Sequence, residues 1–369
     1  MGSGEPTAPQ PRHAGDHAAP RPRDGERGTP RAAPAEYVWS VDRRRELGRG
    51  ERVVPGLWRL RLPLPYPGIP HCNAWAISAE GGFVLVDCGM HEPGSLAQLE
   101  WALEQVGLRL EQARLLACTH AHADHWGQAA PIVARAGCEL WMHPNRAHAT
   151  AELADPERAL ARRLEVARQS GVPEHAIAEY LRQLRERPSG IAALIDPHRP
   201  LLDGVVIDTD LGPWRVYETP GHCPSHVCLF QPEHRILISG DHVLGRVSLY
   251  YDFGYSPDPV GEFLSSLDVV DRLGARLALS GHGRPFTDVH GHIEANRRAV
   301  GAHLRAIQQR IARAPRTAHE LAGEIFETPL TPLNAPWLLT DTLCYLRRLE
   351  RLNQARAERD GEVERWRAA

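Results

Sequence analysis

Apolar positions along this chain recur at period two in some stretches and at three and four in others, and the two kinds of stretch take turns. Residues 53–62, 73–77 and 82–87 alternate like strands, with Glu80-Gly81-Gly82 as a hairpin turn. The intervening stretch 63–71 is rich in proline, which bars it from a central strand and makes it a loop that overhangs a pocket or lies on the surface. Leu96, Leu99, Leu103 and Val106 give helical spacing over 95–106, with Ser95 as N-cap. A strand over 113–119, a helix over 127–136 and a strand over 139–142 continue the rhythm. This β-α-β order predicts helices packed outside a sheet.

Residues 145–195 break the pattern. Asp155-Pro156-Glu157 starts a helix carrying Leu160, Leu164 and Val166, and 174–187 reads as another with Ile177, Tyr180, Leu181 and Leu184. The stretch is too long for an ordinary connection, so it is an inserted helical subdomain. It reads first as a lid over a site, with a dimer contact or decoration as the other readings. Strand patterns resume at 201–210, 214–218, 227–230, 235–239 and 277–280. Beyond 290 come a long helix pattern over 292–313, a capping box at Thr317 and Glu320, and a leucine stripe from Leu338 to Leu352. Two short strands around Asp360-Gly361 follow. The domain reading is a tail over 1–48, a main domain over 49–290 and a C-terminal domain over 291–369.

Composition changes this picture in three places. Residues 1–48 hold few large apolar side chains and cannot offset their ordering entropy, so they read as disordered; a tail that docks on the body near Tyr37-Val38-Trp39 is the lesser reading. All 43 basic residues are arginine, so no lysine serves as base or Schiff-base former. The seven cysteines are odd in number and scattered, which reads as reduced and cytoplasmic; Cys88, Cys118 and Cys223 read as small buried hydrophobes. A net charge of −3 and the lack of a long apolar run give no sign of nucleic-acid or membrane partners.

The candidate chemistry gathers at strand ends. Thr119-His120-Ala121-His122-Ala123-Asp124-His125 holds three imidazoles and a carboxylate in six positions, and His is the commonest metal ligand near neutral pH. His222 follows Thr219-Pro220-Gly221, Asp241 follows Gly240, and His282 stands between Gly281 and Gly283. His120, His122, Asp124, His125, His222, Asp241 and His282 suit zinc, and also iron or manganese, and suffice for two metals about 3.5–4 Å apart. Asp87, at the end of a buried strand, either orients a ligand His or the attacking water or caps a turn before Gly89; beside the His run the first reading is preferred. Asp124 and Asp87 are thus the carboxylates expected to serve catalysis. His226 orients His222, touches substrate or is structural, and the case for His242 is weaker. Tyr250, Tyr251, Phe253 and Tyr255 line a pocket or fill core.

Asp87, the H-x-H-x-D-H run, Thr-Pro-Gly-His, Gly-Asp and Gly-His-Gly, in this order, resemble the metallo-β-lactamase-fold hydrolase superfamily. The resemblance covers roughly 51–290. It implies an αββα sandwich, a first metal on His120, His122 and His222, a second on Asp124, His125 and His282, and Asp241 as bridge. The nucleophile it implies is a hydroxide shared by the metals. An aspartate at 241 departs from the cysteine ligand of the commonest zinc β-lactamases, and His122 from the glutamate of flavo-diiron proteins. The chain is similar to the glyoxalase II-like group but lacks the lysine used there to hold glutathione. The C-terminal three helices and hairpin resemble a winged helix, and with Gly240–Gly245 they resemble the β-lactamase-like protein 2 group, which includes a single-strand-specific endoribonuclease. The expected function is hydrolysis of a small ester, thioester or lactone, with the insert shaping the acyl pocket; the alternative is cleavage of single-stranded RNA. A non-catalytic metal-binding protein and a mononuclear sulfur dioxygenase are lesser readings.

Overall fold

The computed structural model describes residues 1–2, 47–66, 68–184, 189–326, 329–332 and 334–369. The readings for the tail, including docking at Tyr37-Val38-Trp39, fall almost wholly outside these residues. The first sheet runs in chain order: β1 (Arg49–Val54), β2 (Leu57–Tyr66), β3 (Ile69–Ala79), β4 (Gly82–Val86), β5 (Ala113–Cys118), β6 (Glu139–Met142) and β7 (Arg199–Pro200). Its first four strands are antiparallel and the rest parallel. The second sheet contains β8 (Val206–Ile207), β9 (Trp214–Glu218), β10 (Val227–Gln231), β11 (Ile236–Gly240) and β12 (Leu277–Ser280), ordered β12-β11-β10-β9-β8.

Period-two alternation builds four layers. Phe83 and Leu85 of β4 face helices α1 (Ser95–Glu104) and α3 (Ala129–Ala136), which follow on either side of the one-turn α2 (Ala123–Trp126). Their neighbours Val84 and Val86 face the other way, into a core shared with Val216, Leu229 and Ile238 of the second sheet. Leu237 of β11 points outward again. There it meets the hydrophobic faces of α7 (Pro259–Leu273) and α8 (Val289–Ile311), the outer layer on that side. The result is a helix-sheet-sheet-helix sandwich, as expected.

The insert has one more helix than its pattern predicts: α4 (Ala147–Ala154), α5 (Pro156–Gln169) and α6 (Glu174–Leu184). Asp155 caps α5, accepting from the Arg158 amide at 3.1 Å. Past α8 come α9 (Ala318–Ile325), α10 (Ala335–Arg351) and a hairpin of β13 (Ala355–Asp360) and β14 (Val363–Ala368). The Thr317–Glu320 capping box is formed at both ends. Leu343, Tyr345 and Trp366 share a core with Phe230 and Phe263, so these C-terminal elements pack onto the second sheet's outer layer.

Three strand readings need correction. The stretch 53–62 is not one strand: it folds back at Pro55-Gly56, pairing Val54 with Leu57, with Gly56 at φ 78° as the third residue of a type II turn. The proline-rich stretch is not a free loop, because Pro63 pairs with His71 and Tyr66 with Ile69. It tolerates proline because β1 pairs with β2 only as far as Arg61, so the rest of β2 has an open side needing no amide donor. Finally, 201–210 holds only the two-residue β8, since Asp203-Gly204 turns the chain from the first sheet to the second. All seven cysteines are buried and free, as small hydrophobes would be. Among the described residues no helix is long and apolar enough to cross a membrane.

Candidate metal centre

Every predicted ligand leaves the end of a strand or the turn beyond it. β5 delivers the His run, and the chain then turns into α2 with His122 at its N-cap. Asp124 and His125 therefore sit on the first turn of a helix, facing a different point from His120. His222 lies between β9 and β10, Asp241 directly after β11, and His282 two residues after β12. The structure brings all seven together. The ligand-type atoms of His120, His122 and His222 lie within 4.8 Å of one another, as do those of Asp124, His125 and His282. Asp241 lies between the two groups, with Oδ2 3.1 Å from His282 Nε2 and 3.9 Å from His222 Nε2.

Hydrogen bonds on the far side of each ring decide which nitrogen faces inward. The His120 Nδ1–H donates to Thr119 Oγ1 at 3.0 Å, and Thr119 in turn donates to Asp87 Oδ2 at 2.9 Å. The His125 Nδ1–H donates to the same Asp87 oxygen at 2.9 Å. Asp87 also accepts the Thr119 amide at 2.7 Å, so it orients His125 and the base of the loop, the first of its two expected roles. His282 donates from Nδ1 to the His71 carbonyl at 3.0 Å, and His222 from Nδ1 to the Tyr250 carbonyl at 3.1 Å. His122 is reversed: its Nε2–H donates to Asp252 Oδ2 at 2.9 Å, leaving Nδ1 facing His222 Nε2 at 3.0 Å.

These choices leave lone pairs converging. His120 Nε2, His125 Nε2 and Asp241 Oδ1 are buried without a hydrogen-bond partner. Two inward nitrogens 3.0 Å apart, on His122 and His222, call for a proton or a cation between them. The donor set thus fits divalent metal. Burial and the neighbouring imidazoles push His120 well down, and burial and His122 bring His222 to about 4, so both rings stay neutral at neutral pH with a lone pair free of a proton. Burial opposes charge on His125 and His282 as well. There the carboxylates win: Asp124, Asp241 and Asp87 raise His125 well above the usual range, and Asp241 and Asp124 raise His282 to about 10. Protons on these two rings are what a cation would displace. The fit is close at Gly281, where a Cβ would stand 2.2 Å from Asp241 Oδ1.

The outer supports were only partly legible beforehand. His226 packs its ring 5.1 Å from that of His120 and 5.9 Å from that of His222, but its hydrogen bonds go elsewhere: its Nδ1–H donates to Thr219 at 2.8 Å and its Nε2 accepts the Asp241 amide at 3.1 Å. It holds the Asp241 backbone. His242 is buried against Phe263. Arg59 and Asn73 clamp the His282 loop. Arg59 Nε donates to Asn73 Oδ1 at 2.8 Å, and Asn73 Nδ2 donates to the carbonyls of Ser280 and Gly283 at 2.8 and 3.0 Å.

Sequence reading missed Asp252 and His148. Asp252 accepts from His122 and, at 3.0 Å, from the Tyr250 hydroxyl, and its Oδ2 is 2.7 Å from His148 Nδ1. His148, on α4, reaches Ser225 Oγ at 2.8 Å, and Ser225 accepts the Ala121 amide at 3.0 Å. A carboxylate inside the aromatic run 250–255 was the one signal for Asp252; nothing in the spacing marks His148. Cys223 adjoins this cluster, but burial pushes its thiol up to about 11, which keeps it protonated and a poor ligand at neutral pH. Asp252→Asn is expected to weaken metal binding at the His122 end by about 10–100-fold. Chelator competition on the purified protein measures this, and an unchanged affinity would show that Asp252 does not set the ring.

Seven imidazole and carboxylate side chains able to hold metal gather at the strand ends of an αββα sandwich, each ring fixed by an outer hydrogen bond, the arrangement of a metal-dependent hydrolase. The chain belongs to the metallo-beta-lactamase superfamily, whose family model matches residues 67–282, and it is an enzyme of that superfamily's hydrolase type. It is 23% identical over 280 residues to a probable metallo-hydrolase of Bacillus subtilis, covering 72% of this chain and 84% of the relative. The crystal structure of a metallo-beta-lactamase family protein from Thermus thermophilus matches with a TM-score of 0.74 and 27% identity, over 86% of this chain and 100% of that one. An atrochrysone carboxyl ACP thioesterase of Aspergillus chevalieri is 24% identical over 175 residues, 45% of this chain and 54% of the relative.

Proposed function

We propose that this protein is a di-metal hydrolase of esters or thioesters. His120, His122 and His222 would hold one ion and Asp124, His125 and His282 the other, with Asp241 placed between the two groups. Zinc suits five imidazoles and two carboxylates, with iron and manganese as alternatives. The observation that carries the reading is the pair of three-ligand groups, with Asp241 between them and buried unpartnered atoms on both sides. Bound there, divalent metals would supply an activated water and polarise the scissile carbonyl.

The chain's own part is positional. Asp87 holds His125, Asp252 holds His122, and backbone carbonyls hold His222 and His282. The site is recessed: the side chains of His122, Asp124, Asp241 and His282 are only 12–21% exposed. On one flank α4 enters through His148. A small substrate enters such a site more easily than a folded polymer, and the fungal thioesterase relative favours an acyl thioester within the ester class.

The second reading, an endoribonuclease acting on single-stranded RNA, rests on the winged-helix-like order of α8–α10 and β13–β14. Against it, Arg356 and Arg367 on that hairpin pair with Glu358 and Arg365 with Asp360, which blunts a basic stripe. One purified sample tests both readings by metal content together with turnover of p-nitrophenyl esters, acyl-CoA thioesters, lactones and labelled RNA. About two metals per chain with ester or thioester cleavage and intact RNA is the expected result. RNA cleavage lost in Asp241→Ala would replace the first reading by the second.

A further inference from the structure

A cavity of about 800 Å³ lies between the insert and the C-terminal helices, walled by α5 and α6 on one side and the start of α10 on the other. We propose that it is the binding site for the acyl part of the substrate, and that this acyl group has a large apolar body. The inference rests on the ester or thioester reading above and adds the class of acyl group.

Three observations carry it. The first is adjacency to the metal centre. The segment 250–255 begins at Tyr250, whose ring lies 5.7 Å from that of His122 and 5.6 Å from that of His222. It passes through Asp252, which holds His122, and ends at Phe253 and Tyr255 in the cavity wall. Tyr255 also meets His148 edge-on, with centroids 6.1 Å apart, and Ala151, one turn further along α4, lines the cavity. The metal centre and the cavity therefore lie on either side of one wall, built by 250–255 and the start of α4, which sets the cavity beside the place a substrate carbonyl would take at the metals.

The second observation is size. An acetyl group or a small lactone would leave most of 800 Å³ empty, whereas pockets that bury extended ligands span roughly 300–1,000 Å³. The third is chemistry. The wall is built largely of small and aliphatic side chains, among them Ala159, Ala167, Ala176, Val166 and Leu339. Arg158, His175 and His319 also line it and Asp155 caps α5 there, while the other charged groups are committed. Arg163 pairs with Glu152, Arg162 donates to the Gly254 carbonyl at 2.7 Å and lies over the Tyr255 ring, and Glu179 pairs with Arg182. Thr340 turns its hydroxyl back to the Trp337 carbonyl at 2.8 Å. Such a wall rewards apolar surface, with each buried methylene worth about four-fold in affinity. It suits a long hydrocarbon chain or a fused-ring body, not a nucleotide or a sugar.

The test is a chain-length series of p-nitrophenyl esters, from acetate to palmitate, on the metal-loaded full chain, beside direct binding of palmitate to the metal-free protein. Two variants, Ala159→Trp and Ala176→Trp, fill the cavity from different helices and touch none of the proposed ligands. In the wild type kcat/KM is expected to rise on the order of 100-fold from acetate to the longer esters. Each variant is expected to lose most of that rise while turning over acetate as before, and to lose palmitate binding. Equal turnover of short and long esters, or variants that lower both alike with unchanged thermal stability, would overturn the acyl site and leave the hydrolase reading standing. Palmitate bound by the wild type and lost in the variants, with no ester hydrolysed, would support the cavity and overturn the chemistry assigned to the metals. No binding and no chain-length preference would remove the cavity from the mechanism.

Discussion

Asp241→Ala is expected to lower kcat by about 10³-fold or more on any substrate the protein turns over, with the fold intact. The carboxylate has one oxygen 3.1 Å from His282 Nε2 and 3.9 Å from His222 Nε2, and the other is buried without a hydrogen-bond partner. It lies close to both ligand groups, so its loss weakens both metal positions and the charge stabilisation they provide together. Burial alone would raise its carboxyl, but His282 and His125 pull it well below the usual range, so at neutral pH it is an anion available to metal. The backbone survives the substitution, because the bond from the Asp241 amide to His226 needs no side chain. His122→Ala should behave alike at the first position. Circular dichroism and melting temperature would show the fold retained, and metal analysis would show about one ion per chain or fewer. Full activity in either variant would sink the di-metal reading.

The second large effect is on stability. Asp87→Ala is expected to destabilise the metal-free protein by about 3 kcal/mol and to lower metal affinity as well. Asp87 is 1% exposed and accepts from three buried donors: the Thr119 amide, the Thr119 hydroxyl and His125 Nδ1. Each donor stranded in the interior costs about 1–3 kcal/mol, less whatever local relaxation recovers. The backbone adds its own term, since Asp87 holds φ at 62°, a region Asp and Asn tolerate far better than Ala. Asp87→Asn keeps the shape and the backbone preference and should cost roughly half as much, because its amide group can no longer accept at both positions. Urea unfolding with and without metal separates the two effects. An Asp87→Ala protein with wild-type stability and wild-type metal affinity would remove Asp87 from the site's support.

The ligand run is where local sequence says most. Three histidines and an aspartate in six residues need no distant information to suggest metal, and each further candidate directly follows a glycine at or just beyond a strand end. The sandwich is legible for a similar reason. Alternation along 82–87 and 235–239 puts neighbours on opposite faces, and a strand apolar on both faces must be covered on both. The hairpin at Pro55-Gly56 was missed because alternation runs unbroken across it, and the proline-rich arm because proline forbids only the side of a strand that lacks a partner here.

By itself, then, the sequence determined the residue types of the ligand set, the strand ends that carry them and the helix caps, all of which act within a few residues. Tertiary structure decided which nitrogen of each ring faces inward, because the partners are remote: Asp252 lies 130 residues from His122. It decided that Asp241 stands between the two groups, and that His148 of the insert braces the centre. It also made the cavity, since α5, α6 and α10 each carry an ordinary apolar stripe and only their packing leaves space between them. Short-range chemistry is written in neighbouring residues, whereas ring orientation and empty volume arise only when distant segments meet.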